Sequence, residues 1–520
     1  MFQSLAHMAR LFKAGRTLAR YDVLMQPQQL AELPWPARLG VRIMRIGTGS
    51  PDADPQSRLT AALAALGPSY IKLGQFLATR PDIIGARRAF ELRALQDRLP
   101  PFAMDEARAI IAANIGPVDT QFAEISAPVA AASIAQVHQA RTTDGRLVAV
   151  KVLRPGVEKR FAADLQSFYF AARLLERFSA EGRRLRPVAA VTMLEDSMKL
   201  ELDLRMEASA MSEIAGNTKD DPGFRVPEVD WARTGRQVLT TAWIDGTPIS
   251  DVDALRAQGF DLKHLGDTVI QSFLRHAIRD GFFHADMHPG NLFVDRQGNL
   301  VAVDFGITGR LGARESMFLA EILYGFITRD YMRISLVHFE AGYVPPDQDP
   351  ANFAQALRAV GEPIMGLSAN DISMARLLTQ LFEVTAQFRM QTQPQLLLLQ
   401  KTMVVVEGVA RTLNPDLNMW VTAEPVVRGW IERKLGPVGR IETGAASLGR
   451  MAMSLPGLFE DAAKASTLLS GMAKSGGLRL DRETTEALAL AEARRNRPLR
   501  YAAVVAAAAL VAIAIALFRL

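Results

Sequence analysis

The residues best suited to chemistry lie in His284-Ala285-Asp286-Met287-His288-Pro289-Gly290-Asn291, followed after two short apolar runs by Val303-Asp304-Phe305-Gly306. Leu292-Phe293-Val294 and Leu300-Val301-Ala302-Val303 flank a polar stretch from Asp295 to Asn299, a pattern that predicts a β-hairpin with Asn291 and Asp304 at one edge. Far upstream, Lys151 lies inside the near-continuous apolar run Leu147 to Leu153. An ammonium in such a strand is costly unless an anion faces it. His284 and His288 lack the helix and the further clustered ligands of a zinc site. The absence of cysteine removes thiolate metal ligands, thiol nucleophiles and disulfides together.

In order and spacing, Asp286, Asn291 and Asp304 resemble the catalytic core of the protein-kinase superfamily, and Val148-Ala149-Val150-Lys151 is similar to its lysine-bearing strand. The resemblance implies Mg-ATP chemistry, in which Asp286 orients or deprotonates an attacking hydroxyl, Asn291 and Asp304 hold Mg²⁺, and Lys151 contacts the phosphates. Lys151 also needs an anionic partner. Leu200 to Ala208 reads as a helix whose acidic residues are Glu201, Asp203 and Glu207, with Glu207 the expected partner. ATP is expected against Pro128, Val129, Ala130, Ala131, Ala132, Ser133 and Gln136, where methyl groups stand in place of the usual glycines and the nucleotide must sit differently or the loop must be stiffer. His288 occupies the position of the usual loop lysine, and no Ala-Pro-Glu follows Asp304 to shape a peptide-docking surface. Both departures argue against a protein substrate.

The elements that must position these residues follow from periodicity. Gln136 to Arg141, the Asp144-Gly145 turn and the run Leu147 to Leu153 predict a hairpin closed before Pro155, and Val226 and Val238 to Trp243 supply two further strands. Helical patterns cover Phe161 to Ala180, Val188 to Ile214, Leu255 to Asp280 and Arg314 to about Leu435, while Ile244 to Pro248 has linker composition. The expected fold is α+β and protein-kinase-like, with two lobes. It comprises a helical N-terminal extension over 1–104, an N-lobe over 105–243, a C-lobe over 244–435, an amphipathic linker region over 436–500 and a transmembrane helix over 501–518. Tyr501 to Phe518 is an uninterrupted apolar run, about 27 Å long as a helix. Arg494, Arg495, Arg497 and Arg500 precede it and only Arg519 follows, which keeps the catalytic portion on the cytoplasmic face of the inner membrane. At the other end, Arg10, Lys13, Arg16 and Arg20 mark a basic amphipathic helix suited to packing on the domain or to contact with membrane lipids. A formal charge of +5 on 520 residues argues against a nucleic-acid partner.

Six further motifs sharpen the comparison: Lys72-Leu73-Gly74-Gln75, Leu95-Gln96-Asp97, Ala130-Ala131-Ala132-Ser133, Glu201-Leu202-Asp203, Trp243-Ile244-Asp245-Gly246 and Glu407-Gly408-Val409-Ala410-Arg411. With them the chain resembles, over roughly Tyr21 to Leu413, the UbiB family of atypical kinases of ubiquinone biosynthesis. The resemblance implies that the helix bearing Lys72 and Gln75 folds over the cleft near Glu201 and Asp203, excluding a protein substrate and restraining phosphoryl transfer. It implies ATPase-like rather than protein-kinase activity, a membrane-associated C-terminus, and quinone-precursor lipids and other quinone-biosynthesis enzymes as partners. The alternatives are a nucleotide-responsive scaffold and a protein kinase acting in trans. Ring hydroxylation by the chain itself is disfavoured, because the sequence carries neither a strand-associated flavin fingerprint nor a carboxylate-histidine iron motif.

Overall fold

Basic and apolar residues at helical spacing make the first element, α1 (Phe2–Arg20), lie against the body of the protein: Ala14 and Ala19 are buried and Arg10 donates to the Ala163 carbonyl at 2.9 Å. The computed structural model describes residues 2–21, 57–78, 99–178, 186–365 and 394–435, with isolated positions such as Leu92 and Leu95 between them. Gln96, Asp97, the linker region 436–500 and the apolar run 501–518 lie outside the described residues, among which no helix is long and apolar enough to cross a membrane. The chain divides into two units, Met1–Glu432 and Arg433–Leu520, and every described helix and strand begins in the first. Helices α2 (Arg58–Leu66) and α3 (Pro68–Ala78) follow, and Leu63, Tyr70 and Ile71 anchor them in the main core, with Tyr70 edge-on to Phe168 at 5.1 Å.

Alternation then builds a sheet. Strands β1 (Phe122–Ala131), β2 (Ala135–Thr142) and β3 (Leu147–Leu153) pair antiparallel in sequence, and β5 (Val238–Ala242) closes the far side of β3. Val148, Val150 and Val152 of β3 share one face, where Ile111 of α4 (Met104–Ile115), Phe122 and Val238 complete an apolar cluster. A strand period of two turns Lys151 to the opposite face. The sheet continues into α5 (Val157–Phe178), α6 (Pro187–Glu201) and α7 (Leu204–Asn217). The single helix expected from Leu200 to Ala208 is broken at Asp203, whose backbone is extended and whose carboxylate accepts from the Arg205 N–H as an N-cap. Aspartate favours this break because its short side chain satisfies an orphan helix donor.

The second half is mainly helical around a small sheet. Helix α8 (Leu262–Leu274) runs into a π-helical turn, Arg275–Asp280, before β7 (Phe282–His284), which pairs with β10 (Thr308–Arg310). The expected hairpin forms from β8 (Leu292–Asp295) and β9 (Leu300–Ala302), its turn held by Asp295 accepting from the Gln297 and Asn299 N–H groups. Two strands extend it: β4 (Phe224–Arg225) pairs parallel with β9 and β6 (Gly246–Pro248) antiparallel with β8. Ile244 to Pro248 therefore supplies a strand as well as a connection. A side chain at Gly246 would meet the Val294 carbonyl at 2.7 Å, so glycine is what lets the two backbones approach. Helices α9 (Ala313–Thr328), α10 (Tyr331–Glu340), α11 (Pro350–Met365), α12 (Pro394–Leu413) and α13 (Met419–Leu435) complete the described chain.

Gly281 ends the π-helical turn at φ +63°, and a Cβ there would lie 2.6 Å from the Leu311 carbonyl oxygen. Gly281→Ala is expected to cost about 1–3 kcal/mol through backbone strain and this clash. Thermal unfolding checks it: an unchanged Tm would mean that the backbone at Leu311 yields.

Candidate active site

Lys151 is the centre of the charged cluster. Helix α7 packs against β5, the neighbour of β3, and so delivers Glu207 to the cleft face of the sheet. Lys151 Nζ donates to both Glu207 oxygens at 2.8 and 2.9 Å and lies 3.1 Å from Asp304 Oδ1. Burial presses the Lys151 ammonium down, but Asp304 and Glu207 outweigh it and hold the group charged. Burial likewise pushes Asp304 up; Lys151, with Lys72 behind it, reverses this and leaves the carboxyl at about 2. Glu207 is pushed up to about 7 by burial, with Lys151 opposing and Asp304 adding to the shift. Asp304 also has φ +60°, a left-handed conformation that aspartate tolerates better than most residues, and its Oδ1 accepts from the Gly306 N–H at 3.3 Å.

The loop after β7 is ordered by its own polar groups. His284 is buried; its Nε2 donates to the Val303 carbonyl at 3.3 Å, so its Nδ1 is the acceptor for the Asp286 N–H at 3.1 Å. Burial lowers the His284 pKa and keeps the ring neutral, as that tautomer requires. The ring also lies against Phe305 at 4.7 Å, coupling this loop to the segment bearing Asp304. Asn291 Nδ2 donates to the Asp286 carbonyl at 3.0 Å, which leaves its Oδ1 as the end available to a cation. His288 Nδ1 accepts from the Gly290 N–H at 3.2 Å and caps the short turn before Asn291. The cation near Asp286 is one the sequence reading missed: Lys401 of α12, with Nζ 3.8 Å from Asp286 Oδ1. Helical spacing alone carried no sign of it.

The alanine-rich segment is not a helix. Pro128, Val129, Ala130 and Ala131 belong to β1, Ala132 to Ile134 form the turn, and the Ala132 N–H donates to the Ala135 carbonyl at 2.8 Å. Arg154, also unforeseen, fastens this turn through Nε and Nη2 to the Ala132 carbonyl at 3.0 and 2.8 Å. Ser133 is buried beside it. Gln136 is buried too, and its amide is directed to the Phe102 N–H at 2.9 Å and to His138 Nε2 at 3.0 Å. His138 Nδ1 faces the Ser126 carbonyl and donates to it, so Nε2 accepts from Gln136.

Above the cleft, Lys72 of α3 meets Glu201 at the end of α6 at 2.5 Å, with both side chains more than nine-tenths buried. Asp203 pairs with Arg205 at 2.6 Å and caps the helix that carries Glu207. Gln75, one turn on from Lys72, has a buried Oε1 with no hydrogen-bond partner among the described residues. Lys72 and Glu201 form one ion pair, Asp203 with Arg205 a second, and Glu207, Lys151 and Asp304 a third cluster, the last two joined by the helix that Asp203 caps.

The comparison with known proteins bears on this geometry. Residues 94–338 match the model of the ABC1 atypical kinase-like domain and residues 357–418 that of the UbiB helical domain. A "Probable protein kinase UbiB" of Marinobacter nauticus is 40% identical over 448 residues, covering 84% of this chain and 81% of that protein. The chain belongs to the UbiB family. Another "Probable protein kinase UbiB", of Aeromonas salmonicida, is 39% identical over 82% of this chain and 80% of its own length. A solved Mycobacterium tuberculosis protein, Rv3197 in complex with erythromycin, is 24% identical, covering 72% of this chain and 96% of its own with a TM-score of 0.49. In this UbiB-family chain Lys151, Glu207, Asp286, Asn291 and Asp304 fall inside the ABC1 kinase-like domain, whereas Lys401 falls inside the helical domain and Lys72 precedes both.

The donor set fits Mg²⁺ held jointly with phosphates. Among the described residues no three His, Cys, Asp or Glu side chains form a metal cage. Asp304 with an ionised carboxylate, and Asn291 with its Oδ1 unclaimed by the Asp286 carbonyl, offer the few hard oxygens that Mg²⁺ takes from protein when phosphates and water fill its octahedron.

Proposed function

We propose that this chain is an Mg-ATP-dependent atypical kinase or ATPase at the cytoplasmic membrane face that supports ubiquinone biosynthesis by acting on, or giving access to, lipid-like quinone precursors. The observation that carries the reading is Lys151 held between Glu207 and Asp304 at 2.8 and 3.1 Å. A lysine so fixed faces the phosphates with its charge secured, and Asp304 beside it is ionised and ready for a cation. Mg²⁺, when bound, offsets phosphate charge. Asp286, ordered by His284 and Asn291, meets the acceptor, and the turn at Ala132 fastened by Arg154 covers the nucleotide. The Lys72–Glu201 pair at the cleft supports a restrained site closed to bulky peptides, and the apolar run Tyr501 to Phe518 after four arginines supports attachment to the membrane.

Phosphate release from Mg-ATP by the purified full chain in anionic lipid vesicles, with and without a simple phenol as a precursor mimic, tests this. Release well above the protein-free rate, rising with vesicles and phenol, is the expected result. Nucleotide binding without release, in wild type and in Lys72→Ala alike, would replace catalysis with the scaffold reading. Release indifferent to both additions would remove the membrane and quinone parts.

A further inference from the structure

We propose that Lys401, from the helical domain, is a phosphate-contacting residue that supplies the cation which His288 does not provide at the catalytic loop. The inference rests on the Mg-ATP reading and deepens it. Three observations carry it. First, Lys401 Nζ lies 3.8 Å from Asp286 Oδ1, and both side chains remain about one-third accessible. That separation is longer than a charge-assisted hydrogen bond, so Asp286 does not consume the three ammonium donors.

Second, α12 is fastened at the adjacent residue. The hydroxyl of fully buried Thr402 lies 3.0 Å from the carbonyl of Ala285, which directly precedes Asp286, and shares its proton with the Leu398 carbonyl at 2.8 Å. Val406, Val409 and Ala410 bury the following turns, and Gly266 of α8 admits the Ala410 carbonyl closely, with a Cβ position 3.1 Å away. A surface lysine on a mobile helix would have no such registration to the catalytic loop.

Third, the charges near the transfer end call for a cation. Lys151 is already held between Asp304 and Glu207 and Lys72 is buried against Glu201, while the ion pair of Asp286 among the described residues is with Lys401. During transfer the acceptor oxygen bonds to the γ-phosphorus as the bond to the β-phosphate oxygen breaks. The electron pair leaves with ADP and the acceptor proton passes through Asp286. Lys401 stabilises the charge spread over the transferred oxygens, as cations at phosphoryl-transfer sites do.

Full-length Lys401→Ala and Lys401→Arg variants test the assignment by calorimetric titration with Mg-ADP and with the non-hydrolysable triphosphate AMP-PNP, alongside phosphate release from Mg-ATP. Lys401→Ala is expected to weaken AMP-PNP by ~10-fold or more while leaving ADP within about 2-fold, since only the triphosphate reaches Lys401. Release should fall by ~100-fold, and Lys401→Arg should recover part of both losses. Equal loss of both nucleotides, or no loss of either, would make Lys401 a structural or surface residue. Circular dichroism identifies a fold defect, and Thr402→Val, which frees α12 without removing the charge, should reduce the preference for triphosphate if position matters. Wild type that binds neither nucleotide would overturn the Mg-ATP reading itself, and Lys401 with it; wild type that turns over while Lys401→Ala equals it overturns Lys401 alone.

Discussion

Asp304→Asn is expected to slow phosphate release from Mg-ATP by at least ~1000-fold while the protein stays folded. The carboxylate is held at about 2 by Lys151 and Lys72 against the effect of burial, so it is ionised throughout the physiological range and offers Mg²⁺ a full negative charge. An asparagine keeps the shape and tolerates the left-handed backbone at φ +60°, but it withdraws that charge. Lys151 keeps Glu207 at 2.8 Å, and the cluster changes from two carboxylates around one ammonium to a matched pair. Tm is expected to fall modestly, because a carboxyl held below its ordinary value stabilises the fold while ionised and asparagine withdraws that contribution. Phosphate release and thermal unfolding measured on one preparation decide the matter. Turnover within tenfold of wild type would exclude Asp304 as the cation ligand.

Lys72→Ala has the second largest expected effect, and it is a local one. Lys72 and Glu201 are only 7% and 8% exposed and meet at 2.5 Å. Removing one partner of a buried pair typically costs about 3–5 kcal/mol, because the remaining charge lies in a medium that does not solvate it. Helix α3 can relieve that cost by lifting from the cleft without unfolding the sheet or the C-terminal helices. Amide exchange over 68–78 is therefore expected to quicken by ~100-fold or more, with phosphate release rising as the cleft opens. The double substitution Lys72→Met with Glu201→Leu replaces the pair by apolar contact, and should restore slow exchange. Unchanged exchange in Lys72→Ala would mean that other contacts of α3 hold it down and that the ion pair is not its latch.

Much of the site was legible because its parts are local. Asp286, Asn291 and Asp304 lie on either side of one hairpin, and the pairing of Leu292 with Ala302 carries them together without help from distant residues. Lys151 was legible because a charge within a β-branched run has few reasons to be there, and Glu207 because it is the third acid in a short helical stretch. Other features were less readable. Helical spacing places Asp203 inside a helix, but its capping hydrogen bond outcompetes helix continuation; the alanines at Ala130 and Ala131, good helix formers, are extended because β2 pairs with them. Gly246 to Pro248 lacks strand propensity and becomes a strand because β8 offers an edge. At Gly246 to Pro248 a partner far along the chain overrode the local preference, and at Asp203 and the alanines a partner within a few residues did so.

By itself the sequence determined the kinase-like class of the domain, the order of most of its strands and helices, and the family to which the chain belongs. Those follow from residue types and short spacings, which act over a turn or a hairpin. Only the tertiary structure decided that Lys72 finds Glu201, that Arg154 fastens the alanine turn, and that Lys401 reaches Asp286 from a helix more than a hundred residues downstream. Such pairings depend on how buried faces pack in three dimensions. A hydrophobic period records that a helix has an inner face but not which neighbour covers it, and it leaves unstated which charge the outer rim of that face brings to the cleft.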